Sequence, residues 1–180
     1  MPIVFDQPVN TVEEIVEALR QHGDAIRGTY RARYVFDRDS QDPYAGATLE
    51  RPPSLQGNPP DIIYPWEQIF LAAAACVGSD YPMLAAHFGV ALDRVDFVVE
   101  GVFDPRGEFD GLLDYHAPAD AAPCFLFLHL RVALTSSAAV ERWHAIHERV
   151  MSTNMVLGAL RGIPRTSELR VAAHTEATMA

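Results

Sequence analysis

The sequence predicts an α+β fold. Strands and helices come in groups rather than in strict alternation, which disfavours a parallel doubly wound sheet. Two segments anchor that reading. Residues 69–78 are apolar on every side of a helical projection, the mark of a helix buried on most faces. Residues 124–134 alternate with period two and form the clearest strand. At 180 residues the chain has room for one good core and not for two. It divides into an N-terminal helical extension, 1–27, and a single domain, 28–180.

Each element has its own signal. Thr11 and Glu14 have capping-box spacing, Val12, Ile15, Val16 and Leu19 make a stripe, and Gly23 is a stop, so 11–22 reads as a helix. Residues 29–36 alternate around Tyr30, Ala32, Tyr34 and Phe36 as a strand. Residues 37–64 carry seven Pro and Gly, and read as turns and a long loop with one or two short strands. Pro65 opens a helix that runs to about Phe88, with Gly89 as its stop. Residues 95–103 alternate, with Val95, Phe97, Val99 and Phe103 on one face. Residues 105–123 are polar and turn-rich. In 124–134, Cys124, Leu126, Leu128, Leu130, Val132 and Leu134 share one face and Phe125, Phe127, His129 and Arg131 the other. Residues 138–151 are helical through Ala139, Trp143, Ile146 and Val150. A short helical piece at 154–161 and a last strand at 167–173 close the chain.

Composition narrows the function. All fourteen basic residues are arginine, and twenty-four acids leave a net charge of −10. Such a chain has no positive field with which to displace counterions, so neither nucleic acid nor an anionic membrane is an expected partner. The longest uninterrupted apolar stretch, Phe70 to Gly78, is far short of the ~20 residues of a bilayer span. The start lacks the basic region and apolar core of a signal peptide. Two cysteines make no disulfide framework, so a reducing cytoplasm is the expected compartment. There is no Gly-rich phosphate loop, no Cys-x-x-Cys and no Gly-x-Ser-x-Gly elbow. His144 and His147 lie three apart, but a metal pair needs a third ligand, and off the buried stripe they read as a solvated face. His129 and Arg131 share a strand face with Phe125 and Phe127 that reads as a half-exposed sheet, the other reading being a pocket or interface lining.

One segment carries chemistry: Pro65-Trp66-Glu67-Gln68-Ile69-Phe70-Leu71-Ala72-Ala73-Ala74-Ala75-Cys76. It resembles the hallmark helix of the OsmC/Ohr family of thiol-dependent hydroperoxide reductases, which begins with Pro and Glu and ends in small residues running into Cys. The resemblance continues through Met83 to Val90, Leu92 to Val95, the 124–134 strand and Leu160 to Pro164. It implies antiparallel sheets wrapped around a long buried central helix, in an intertwined homodimer with its active sites at the shared interface. It also implies a peroxidase of organic hydroperoxides that needs no cofactor or metal. A thiolate attacks the O–O bond, becomes a sulfenic acid and is resolved by a second cysteine.

Carried over, Cys76 is the attacking thiol, and it needs nearby positive charge to ionise. Glu67 holds the Arg that supplies that charge. Arg38, in Phe36-Asp37-Arg38-Asp39-Ser40, is the matching Arg, with Arg31, Arg33 and Arg51 the other candidates. Nine residues along a straight helix are ~13.5 Å and half a rotation. Glu67 therefore reaches Cys76 only through a bridging Arg or a bent helix. The second cysteine is missing: Val150-Met151-Ser152-Thr153-Asn154 stands in its place, and Cys124 reads as a core residue. The chain is thus expected to be a one-cysteine peroxidase reset by an external thiol. The alternative is a redox-inactive OsmC-like protein that binds a small hydrophobic ligand.

Overall fold

The computed structural model describes residues 11–26, 28–40, 44–51, 65–104, 106–121 and 124–173. Their order is α1 (Val12–Ile26), β1 (Gly28–Asp37), β2 (Tyr44–Glu50), α2 (Pro65–Phe88), β3 (Arg94–Asp104), β4 (Cys124–Thr135), α3 (Val140–Thr153), α4 (Met155–Ala159) and β5 (Arg165–Ala172), with two 3-10 turns between β3 and β4. The fold is α+β. The strands form one five-stranded sheet in the order β2-β1-β3-β4-β5, antiparallel except for the parallel β4–β5 pair.

The sheet has one greasy face and one charged face because its strands alternate. Tyr30, Ala32 and Tyr34 of β1, Phe97 and Val99 of β3, and Leu130 and Val132 of β4 point inward onto α2. On the other face Arg33 pairs with Asp96 at 2.8 Å, and Glu100 accepts from both Arg31 and Arg131. These are exposed cross-strand pairs that fix register more than they stabilise.

One face assignment differs from the alternation read in the sequence. Val102 pairs with Phe127 but Phe103 pairs with Phe125, so Leu126 is an extra residue on β4. Such a bulge reverses the parity of everything beyond it. Phe125 turns inward and packs on Phe70 and Phe103, with ring centroids 5.0 and 5.2 Å away. Phe127, His129 and Arg131 stay on the outer face.

α2 begins and ends where its signals stand. Gly89 takes φ +60°, and the chain leaves through a Val90 to Ala85 hydrogen bond of 2.8 Å. Arg142 of α3 donates to the last carbonyl, that of Phe88, at 2.7 Å. Gly78 lies where the helix crosses the sheet. A Cβ there would sit 2.2 Å from the Tyr34 ring, so only glycine permits this approach.

The helix is not covered on all sides within this chain. Phe70, Ala73, Ala74, Val77 and Tyr81 are buried, but Ile69 and Met83 are 37% and 59% exposed, and Ala72 and Ala86 are exposed with them. By length and composition alone the span Glu67–Phe88 would also suit a bilayer. Here its sheet-facing side is core and Glu67 is in an ion pair.

α1 packs on the segment that follows β3. Thr11 and Glu14 form the reciprocal capping box, with bonds of 2.9 and 3.2 Å. Val16 and Leu19 bury against Tyr115 in a small second core. Asp104 and Arg106, both buried, hold the exit from β3 by side-chain bonds of 2.8 and 2.9 Å.

Candidate active site at Cys76

Cys76 lies in the middle of α2, half-buried, on the side of the helix turned away from the sheet. Its sulfur faces the α3–α4 junction, where Asn154 ends one helix and caps the next. Asn154 Nδ2 donates to Cys76 Sγ at 3.4 Å and to Asp80 Oδ2 at 2.8 Å. Asn154 Oδ1 accepts from the N–H groups of Val156 and Leu157, each at 3.0 Å. That cap decides the orientation of the amide, because only the oxygen can accept from backbone donors. The sulfur therefore meets an N–H group. Asn154 belongs to the 150–154 run that stands in place of the second cysteine.

At the first turn of the same helix, Arg51 grips Glu67 with two parallel bonds, Nε to Oε1 at 2.7 Å and Nη2 to Oε2 at 3.0 Å. Glu67 is fully buried and the Arg51 side chain only 11% exposed. This is the fork-to-fork geometry that makes arginine a carboxylate partner.

The structure thus brings Glu67 together with Arg51, one of the four candidate arginines, and not with Arg38. Arg38 is half-exposed and pairs with Asp93 at 2.8 Å and with Asp39 at 3.7 Å, at the turn after β1. Arg31 and Arg33 lie on the outer face of the sheet. The sequence weighed Arg38 first because it follows the first strand in an Asp-flanked turn. Arg51 follows β2, inside the Pro- and Gly-rich stretch 37–64. Cys124 opens β4 opposite Asp104; its side chain lies outside the described residues.

His147 departs from the solvated reading given to it. It is half-buried: Nδ1 shares a 2.7 Å hydrogen bond with the hydroxyl of Tyr81, and Nε2 a 3.1 Å bond with Ser167 Oγ. Burial first, then His144, lowers its pKa, against a smaller opposing pull from Glu148. Burial, then Asp80, pushes the Tyr81 hydroxyl well above its usual range, so it stays protonated. His144 is exposed. His129 bonds Thr166 at 2.6 Å on the outer sheet face, near Arg131. Among the described residues no group of three potential ligands could hold a metal ion. Two shallow clefts on the outer face, lined by Asp96, Ala133 and Arg170 among others, do not include Cys76.

Sequence comparison identifies no relative: no family model matches the chain, and no curated protein does. Comparison of structures finds four matching solved chains, two of them as follows. One is the OsmC-like protein of Mycoplasma pneumoniae, 13% identical with a TM-score of 0.49, covering 78% of this chain and 96% of the other. The second, described only as a structural genomics protein, is 14% identical with a TM-score of 0.49, covering 79% and 98%.

Proposed function

We propose that this chain is an OsmC-like, one-cysteine peroxidase that reduces organic hydroperoxides through Cys76. The observation that carries the reading is the buried Arg51–Glu67 fork at the start of the helix bearing a half-exposed Cys76. A cation held by a motif Glu, and a thiol on the same helix, are the two parts this chemistry needs. In this reading Arg51 takes the role first given to Arg38.

The spacing sets a further condition. Glu67 and Cys76 are ~13.5 Å apart along a straight α2. The reading therefore includes a homodimer, in which the uncovered stripe of Ile69, Ala72 and Met83 packs on a second copy and brings an Arg51–Glu67 fork to each Cys76. The sulfenic acid has Asn154, not a thiol, beside it, so an external thiol in the cytoplasm resets it.

A second reading is a redox-inactive OsmC-like protein holding a small hydrophobic ligand on the same stripe. It is favoured by the same absence of a thiol at 150–154. Turnover separates the two. Cumene hydroperoxide consumption with dithiothreitol as reductant is expected in the wild type and in Cys124→Ser, and lost in Cys76→Ser. No consumption by folded wild-type protein favours the binding reading.

A further inference from the structure

Asp80 stands one helical turn after Cys76, on the same side of α2. The two side chains share one atom: Asn154 Nδ2 bonds the sulfur at 3.4 Å and the carboxylate at 2.8 Å. Sulfur and carboxylate oxygen are therefore no more than about 6 Å apart. Asn154 is almost wholly buried, and its oxygen is committed to two backbone N–H groups, so its amino group cannot turn away. Among the described residues no cation pairs with Asp80. At that separation or less, a hydroperoxide whose terminal oxygen meets the sulfur has its inner oxygen on the side of the carboxylate.

We infer that Asp80 carries the proton of the peroxidase reaction and that Asn154 positions it. This rests on the reading of Cys76 as a peroxidatic thiol. The Cys76 thiol gives its proton to the Asp80 carboxylate. The thiolate attacks the terminal oxygen of the hydroperoxide, an S–O bond forms and the O–O bond breaks. The alkoxide departs with the bonding pair and takes the proton from Asp80. Sulfur is oxidised by two electrons to the sulfenic acid, the hydroperoxide is reduced to one alcohol, and Asp80 is again a carboxylate. Asp80 is a catalytic residue in this scheme, because it touches the leaving oxygen. Asn154 is a positioning residue, because it acts through the other two.

The test varies the leaving group. An alkoxide is a poor leaving group and needs the proton; the carboxylate released by a peracid does not. Wild type, Asp80→Asn and Asn154→Ser are treated with stoichiometric tert-butyl hydroperoxide or peracetic acid, and loss of the free Cys76 thiol is followed by quenched alkylation and mass spectrometry. Asp80→Asn keeps an acceptor for Asn154, and Asn154→Ser keeps a capping oxygen. Asp80→Asn is expected to slow the tert-butyl hydroperoxide reaction by about 100-fold and the peracetic acid reaction by less than about 3-fold. In Asp80→Asn the thiol loses its proton to solvent instead, and the two oxidants then differ only in whether the leaving oxygen needs a proton. Asn154→Ser is expected to show the same split in weaker form. Equal slowing with both oxidants, or no slowing with either, overturns the role of Asp80. An unchanged Asn154→Ser overturns that of Asn154. A folded wild type whose Cys76 resists tert-butyl hydroperoxide fails before any variant is compared, and takes the peroxidase reading down with the inference.

Discussion

Removing Glu67 alone should cost far more than removing the whole ion pair. The fork is two bonds of 2.7 and 3.0 Å between a fully buried carboxylate and a guanidinium 11% exposed. Glu67→Gln removes a buried counter-charge of that guanidinium, which costs about 3–5 kcal/mol. Replacing both partners with methionine removes both charges and keeps most of the volume, so the double variant should lie within about 1–2 kcal/mol of wild type. With a urea slope of about 2 kcal/mol/M, the single change lowers the midpoint by roughly 2 M and the double by under about 1 M. The measurement is urea unfolding at one fixed protein concentration, because association shifts the midpoint. Activity should part from stability: on the proposed reading the double variant folds yet lacks the Arg51 cation, and its Cys76 alkylation rate at neutral pH falls. A single variant losing less than about 1 kcal/mol, or a double variant as unstable as the single one, would refute the reasoning.

The remaining expectations touch other parts of the fold. Gly78→Ala, which in an open helix would gain about 1 kcal/mol, should here lose about 1–3 kcal/mol, because the new Cβ meets the buried Tyr34 ring; a rise in Tm contradicts this. His147 has a folded-state pKa below its unfolded value of about 6.5, so the unfolded chain binds its proton first. Its burial therefore costs nothing well above that pH and destabilises the fold as the pH drops through and below it. Between about pH 7.5 and about pH 5.5 the wild type should lose more stability than His147→Gln, with His144, Glu148, Asp80, Tyr81 and Ser167 unchanged; parallel pH profiles would show that His147 is not the group responsible. Stoichiometric peroxide should give no Cys76–Cys124 disulfide, and non-reducing peptide mapping should instead find a mixed disulfide with added thiol or an over-oxidised Cys76. A linked 76–124 peptide as the main product would make this a two-cysteine protein.

The local signals of the sequence carry most of the fold. The Thr11–Glu14 box, Pro65 and Gly89 mark helix ends by backbone chemistry that acts over a few residues, and the observed ends lie close to them. Alternation marks β1, β3 and β4 because one face of the sheet is apolar and the other charged. What escaped is set by pairing across the sheet. The bulge that turns Phe125 inward is visible only against Phe103. The partner of Glu67 depends on where β2 ends, within a stretch whose Pro and Gly erase periodicity. His147 lies off the apolar stripe of its helix, and only the packing of α3 on α2 and β5 shows that it is half-buried. Asp80 was within reach, since a spacing of four places it beside Cys76 on any helix. Asn154 is a capping residue type, but nothing in the sequence makes it a neighbour of the sulfur, because that contact spans 78 residues.

The most direct test asks whether Cys76 becomes a sulfenic acid. Folded wild-type protein is mixed with one equivalent of cumene hydroperoxide in the presence of dimedone, and the Cys76 peptide is read by mass spectrometry. The account predicts a dimedone adduct on Cys76 in the wild type, and strong loss of that adduct in Arg51→Gln. An unmodified, reduced Cys76 in folded wild-type protein would contradict it.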